Sequence, residues 1–257
     1  MSAAGASDAA GAGGSAGGGT GGRGKPVAIV TGAGKGIGRA AALALSAAGY
    51  AVVAVARTRA DVEATCAACG GGGGLAVDAD VSRLDDVERV VATAVEAFGR
   101  LDVVVNNAGY APLRLIEQMT PDEWRRVLDT NLSATFYFAR SAWPIFRRQG
   151  GGVIVNLSSL SARDPFTGFF AYGAAKAGIN LMGLELARQG EPHNIRVHTV
   201  APGAVETEMF RGLASEEQYP REKTLHPEEV ARVIVACIRG DLAHTTGEVI
   251  WMHKRIT

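Results

Sequence analysis

PVAIVTGAGKGIG, Pro26 to Gly38, is a short apolar run that ends at Thr31 and breaks into Gly32, Gly34, Gly36 and Gly38. β-Branched residues before the glycines suit an extended strand, and Ala-rich sequence after them suits a helix. Glycines between two such elements let the backbone turn sharply and approach a pyrophosphate with no Cβ in the way. The helix that follows offers its free N–H groups and positive dipole end to that phosphate. A glycine cluster alone means little, as the low-complexity Gly17–Gly19 illustrates. The strand before it and the helix after it give this one its meaning.

Outward from this turn the same alternation repeats. Ala51–Ala56, Gly74–Asp78, Leu101–Val105, Gly152–Leu157, Ile195–Ala201 and Glu248–Met252 read as further strands beside Pro26–Thr31. Their nearly continuous apolar character fits strands covered on both faces. Segments 36–48, 59–69, 84–98, 121–148, 171–190 and 227–239 carry apolar residues at helical period. Such alternation implies right-handed crossovers and an α/β fold: one doubly wound, seven-stranded parallel sheet with helices on both faces. Ser82 with Asp85, and Thr120 with Pro121 and Glu123, read as capped helix starts. Gly99 and Gly190 read as helix stops, and the glycines at 70–74 as a loose loop. Residues 1–24, almost wholly Gly, Ala and Ser, read as a disordered tail, because they cannot bury enough apolar surface to offset chain entropy. Residues 25–257 then form a single domain.

Composition removes several classes. The 257 residues carry 26 basic and 26 acidic side chains, so no basic excess points to nucleic acid or an anionic membrane surface. No apolar run reaches the ~18–20 residues of a membrane span. The three cysteines, Cys66, Cys69 and Cys237, do not make a disulfide framework, and the default compartment is a reducing cytoplasm. The C-x-x-C of Cys66 and Cys69 lacks a second pair, and the five histidines lack metal-ligand spacing, so no metal is expected.

The glycine spacing is T-G-x-x-x-G-x-G, and further landmarks follow in order: Asp80-Val81, Asn106-Asn107-Ala108-Gly109, Asn131 in T-N-L, Ser159, Tyr172-x-x-x-Lys176, and Pro202-Gly203 with Thr207. Over residues 25–257 this sequence resembles the short-chain dehydrogenase/reductase family, a Rossmann-type fold, in general appearance near 3-oxoacyl-[acyl-carrier-protein] reductases. The resemblance implies a nicotinamide dinucleotide held by Gly32, Gly34, Lys35, Gly36, Ile37, Gly38, Arg57, Asp80, Val81, Asn107, Ala108, Gly109, Tyr172, Lys176, Pro202, Gly203, Val205 and Thr207. It implies a catalytic set of Asn131, Ser159, Tyr172 and Lys176. Spacing alone puts Tyr172 and Lys176 on one helix face. By the resemblance, Lys176 lowers the Tyr172 pKa and holds the nicotinamide ribose. Ser159 binds the substrate oxygen, and Asn131 holds a water in a proton relay. Taken singly, each residue has an ordinary structural reading: an amphipathic Tyr–Lys pair, a turn serine, a core asparagine.

A carboxylate at the end of the second strand would bind the ribose 2′-OH and repel a 2′-phosphate. Ala56 stands there, followed by Arg57, and Lys35 adds a cation in the turn. NADP(H) is therefore expected, with NAD(H) as the alternative and solvated surface charge as the plain reading of both cations. Segment 206–225 is expected to be a lid over the substrate, with Met209, Phe210, Leu213 and Tyr219 on it. Residues 164–170 are read either as pocket wall or as a subunit contact. Helices 121–148 and 171–190 commonly pair between subunits in the family, so a homodimer or homotetramer is expected. Three functions compete: a carbonyl reductase, an alcohol dehydrogenase running toward the ketone, and a non-catalytic NADP-binding sensor. The small-molecule substrate would be a carbonyl compound or a secondary alcohol.

Overall fold

Every residue of β1 (Val27–Thr31) is buried, as its unbroken apolar character demands. The computed structural model describes residues 24–70 and 74–254. After β1 come α1 (Gly36–Ala47), β2 (Ala51–Ala56), α2 (Arg59–Ala68), β3 (Gly74–Asp78), α3 (Leu84–Phe98) and β4 (Val103–Asn106). Then follow α4 (Pro121–Leu128), α5 (Ala134–Gln149), β5 (Gly152–Leu157), α6 (Phe170–Gly190), β6 (Ile195–Pro202), α7 (Glu208–Arg211), α8 (Pro227–Arg239) and β7 (Val249–Met252). The strands form one sheet in the order β3-β2-β1-β4-β5-β6-β7, parallel at every pairing. The chain reverses its winding direction between β1 and β4. Such a reversal is where an open α/β sheet forms its ligand-binding crevice, beyond the strand tips.

Side-chain alternation along the strands divides the core in two. Ala28, Val30, Val52 and Ala54 pack with Ala41 and Leu45 of α1 and Ile234 and Cys237 of α8. Val27, Ile29, Val53 and Val55 pack on the other face with Val87 and Val91 of α3 and Phe138 and Phe146 of α5. Phe138 and Phe146 are almost wholly out of water, and burying each such side chain contributes about 1.5–3 kcal/mol.

Several expected boundaries move for identifiable reasons. The helix expected over 121–148 is broken: α4 and α5 are joined by a π-helical turn, Asp129–Ser133. Thr120 caps α4, its hydroxyl accepting from the Glu123 N–H at 3.1 Å. Ser82 does not cap α3. Its hydroxyl and N–H both donate to Asp80, and Arg83 stands at the N-cap position without a side-chain bond. Gly99 ends α3 in the left-handed region at φ 73°. Gly190 is the last residue of α6, as expected; it keeps helical dihedrals, and a Cβ there would press on the Ile195 carbonyl. Gly74 belongs to β3. The expected tail over 1–24, Gly24 apart, and the middle of the 70–74 loop lie outside the described residues.

Candidate active site

The phosphate end of the crevice is built from glycines that the packing requires. Gly32 and Gly36 have φ of +65° and +52°, a region that L-residues with a Cβ disfavour. A Cβ on Gly38 would collide with the Gly32 carbonyl oxygen and the Asn107 amide. Asn107 locks the turn: its Nδ2 donates to the Thr31 carbonyl at 2.9 Å. The N–H groups of Asn107 and Ala108 both donate to the Thr31 hydroxyl. The tips of β1 and β4 are thereby tied together at the reversal point. The first turn of α1 has no side-chain cap and no acidic residue. Its N–H groups and dipole are left for an anion, and the glycine cradle above them suits a pyrophosphate.

At the adenosine end, Arg57 is exposed just past β2 and makes no ion pair among the described residues. Asp80 accepts two bonds from Ser82, and its N–H donates to Asp86 at 2.9 Å. Val81 is buried against the α3 side of the core. Two residues here have no counterpart in the sequence reading. Asp61, in the first turn of α2, touches the position a Cβ on Gly34 would take. Glu208 accepts from Lys35 Nζ at 3.0 Å. Lys35 is therefore paired rather than free, and only Arg57 of the two expected cations stands unpaired.

The other end gathers Asn131, Ser159, Tyr172 and Lys176 in one region. Gly173 allows α6 to sit close to the turn after β5, because a Cβ there would press on the Ser161 carbonyl at 2.7 Å. Tyr172 stands beside Ser159, whose side chain favours the ionised phenol, and carries Phe169 edge-on at a 5.4 Å centroid distance. Lys176 is 3% exposed. Its Nζ donates to the Leu157 carbonyl at 2.7 Å and lies 5.3 Å from the Tyr172 ring centroid. Burial pushes the Lys176 ammonium down to about 7. Burial also pushes the Tyr172 phenol up to about 12, with Ser159 opposing. The expected depression of Tyr172 by Lys176 is thus absent in the protein alone: desolvation outweighs any help from the neighbouring ammonium.

Asn131 lies in the π-helical turn, 1% exposed. Its Nδ2 donates to the Tyr110 and Val127 carbonyls, both at 2.8 Å. Its Oδ1 is buried without a partner among the described residues and faces Gly109. A buried amide oxygen left unbonded is costly, so this atom is poised to accept from a bound group or water.

The lid folds back over the glycine turn. Pro202 ends β6, and Gly203 donates to the Met252 carbonyl at 2.7 Å. Val205 bridges to Leu225. The Thr207 methyl carbon lies 3.0 Å from where a Cβ on Gly36 would stand. Arg211 clasps Glu206 and donates to the Tyr219 carbonyl at 2.8 Å. That guanidinium holds the Glu206 carboxyl down to about 2. Phe210 and Tyr219 stack edge-on. On the opposite rim, Arg114 N–H donates to the Gly168 carbonyl at 3.0 Å, joining the loops after β4 and β5. Leu113, Ile116 and Phe166 stand exposed there.

No group of His, Cys, Asp and Glu among the described residues could hold a metal, and no described helix is long and apolar enough to cross a membrane.

The sheet order and glycine cradle are those of a dinucleotide-binding α/β fold. The family described as short chain dehydrogenase matches residues 26–218, and the chain belongs to it. It is 40% identical over 187 residues to the short-chain reductase protein NovJ of Streptomyces niveus, covering 68% of this chain and 71% of that one. It is 34% identical over 177 residues to the 3-oxoacyl-[acyl-carrier-protein] reductase FabG of Thermotoga maritima, covering 66% and 72%. Among solved structures, a 3-ketoacyl-(acyl-carrier-protein) reductase from Brucella melitensis, complexed with NADH, superposes with a TM-score of 0.84. The identity is 29%, over 89% of this chain and 97% of that one.

Proposed function

We propose that this chain reduces a ketone of the 3-oxoacyl type, or oxidises the matching secondary alcohol, with NADP(H), using Ser159, Tyr172, Lys176 and Asn131. The observation that carries the proposal is the buried Lys176 ammonium, held by the Leu157 carbonyl beside the Tyr172 ring, with Ser159 next to that phenol. A lysine so far from water is costly unless its charge is used.

The bound nicotinamide supplies the hydride that the substrate carbon takes up. The chain's own groups handle the oxygen. Ser159 donates a hydrogen bond to it and steadies the charge that develops there. Tyr172 Oη gives it a proton, and at about 12 the phenol is fully protonated at neutral pH, ready to act as the acid. Lys176, at about 7, can hold or release a proton under the same conditions. It replenishes Tyr172 through a water accepted by Asn131 Oδ1. Gly32, Gly36, Gly38, Ile37 and Asn107–Gly109 hold the pyrophosphate side, Asp80 and Val81 the adenine, and Pro202, Gly203, Val205 and Thr207 the nicotinamide side.

The unpaired Arg57 supports NADP(H), since a guanidinium can grip a 2′-phosphate bidentately. The relatives named as 3-oxoacyl and ketoacyl reductases support a 3-oxoacyl substrate, and Leu113, Ile116 and Phe166 give the rim an apolar surface for an acyl chain. Exposed Phe136 of α5 and Leu181 of α6 support a homo-oligomer built on those helices. Free thiols at all three cysteines suit the cytoplasm.

The test is loss of NADPH absorbance with a panel of 3-oxoacyl thioesters and simple ketones, repeated with NADH. Turnover with NADPH ahead of NADH is expected. Tight NADPH binding without turnover on the whole panel would instead indicate the sensor.

A further inference from the structure

Lys35 and Glu208 are 173 positions apart and bonded at 3.0 Å. They join the two sides of the phosphate crevice. Lys35 is the N-cap residue of α1, between Gly34 and Gly36. Glu208 is the first residue of α7, directly after the Thr207 that overlies Gly36. Asp61, against Gly34, adds a second negative charge felt by Lys35. The cation best placed to meet a phosphate above the glycine turn is therefore already neutralised from within the chain.

We infer that Glu208 is a carboxylate stand-in for a cofactor phosphate on Lys35, so that phosphate binding exchanges one anion for the other. The inference rests on the dinucleotide reading above. Both partners are well exposed, with side chains at 57% and 76% of full accessibility. Among the described residues Lys35 is the only partner of the Glu208 carboxylate, so no other side chain there resists its departure. A second pair in the lid is enclosed: Glu206 and Arg211 are 16% and 20% exposed and hold the lid to itself. The exchange therefore costs one weak surface ion pair while the lid stays folded. A phosphate carries more charge and more acceptor atoms than a carboxylate, so it wins Lys35, at an affinity lowered by the competition. The phosphate concerned is either the 2′-phosphate or the pyrophosphate, and the same chemistry serves both.

The experiment is calorimetric titration of the full chain with adenosine 2′,5′-bisphosphate, ADP and AMP. Four proteins are compared: wild type, Glu208→Gln, Lys35→Gln and the double variant. An exposed ion pair of this kind limits the gain to about fivefold. E208Q is expected to bind either the bisphosphate or ADP about fivefold tighter, with AMP unchanged. A gain for the bisphosphate and not for ADP assigns the 2′-phosphate, and a gain for ADP and not for the bisphosphate assigns the pyrophosphate. The gain must vanish when E208Q is made in the K35Q background, because the exchange happens at Lys35. Equal affinities in wild type and E208Q overturn the exchange and leave the dinucleotide reading standing. A gain that survives in the K35Q background also overturns it, since removal of a distant charge then explains the effect. Failure of all three nucleotides to bind all four proteins overturns both.

Discussion

Replacing Lys176 by Met should change how stability depends on pH, in a direction the structure dictates. The ammonium is 3% exposed and is pushed from its ordinary 10.5 to about 7 by burial alone. The unfolded chain therefore binds a proton that the folded chain refuses throughout that interval. Stability rises with pH wherever the unfolded state binds more protons. Wild type should gain stability between pH 7 and 10.5, at about 1.36 kcal/mol per pH step. Below pH 7 both states are protonated, and the full penalty, about 5 kcal/mol, is in force. The Met variant removes that penalty but leaves the buried Leu157 carbonyl without the Nζ donor, which costs about 1–3 kcal/mol. At pH 7.5 about 4 kcal/mol of that penalty remains, so the variant should be the more stable protein by about 1–3 kcal/mol. By pH 9.5 the gap should have shrunk by about 3 kcal/mol. Tyr172, titrating near 12, does not enter this window. The assay is urea unfolding of both proteins at the two pH values, followed by far-UV circular dichroism. A stability gap that stays constant between pH 7.5 and 9.5 would refute the claim that burial has stripped Lys176 of its charge-holding environment.

Other outcomes follow from the same geometry. His198 is fully buried in β6 and is pushed down to about 4, mainly by burial. Wild type should lose about 3 kcal/mol as pH falls from 6.5 to 4, and His198→Leu should remove that part of the loss in urea melts at the two ends of the interval. Gly38→Ala puts a Cβ against the Gly32 carbonyl and the Asn107 amide. It should weaken NADPH binding at least about a hundredfold and lower Tm, and normal calorimetric affinity would dispose of the glycine cradle. Arg57→Asp should move the NADPH-to-NADH ratio of kcat/KM toward NADH by at least about tenfold, and an unchanged ratio would remove Arg57 from cofactor selection.

The strand–helix alternation and the glycine turn were legible because they rest on period and on residues with special backbones. Six of the seven apolar runs lie within a residue of the observed strand limits. The exception is β4, where Leu101 and Asp102 precede the pairing and Asp102 turns back to the β1 start. The π-helical turn at Asp129–Ser133 left no mark in the hydrophobic pattern, because one extra residue in a turn barely disturbs a 3.6 period. It is nonetheless the element that carries Asn131. The Ser82 cap was misread because Asp80, two positions earlier, is a stronger acceptor and captures the hydroxyl. Asp61 and Glu208 escaped notice for another reason. Their importance lies in distance to the glycine turn, and no spacing rule links residue 208 to residue 35. The Tyr172–Lys176 spacing was plain, yet its electrostatics were not: burial, invisible in sequence, raises one group and lowers the other.

The central claim is that Tyr172 moves the proton while the rest of the site binds the cofactor. Tyr172→Phe keeps the ring against Phe169 and removes only the hydroxyl. Measured together on one preparation, the NADPH Kd should stay within about twofold of wild type. On the best substrate of the panel, kcat should fall by about 10²–10⁴. A variant that turns over at near wild-type rate would contradict the account.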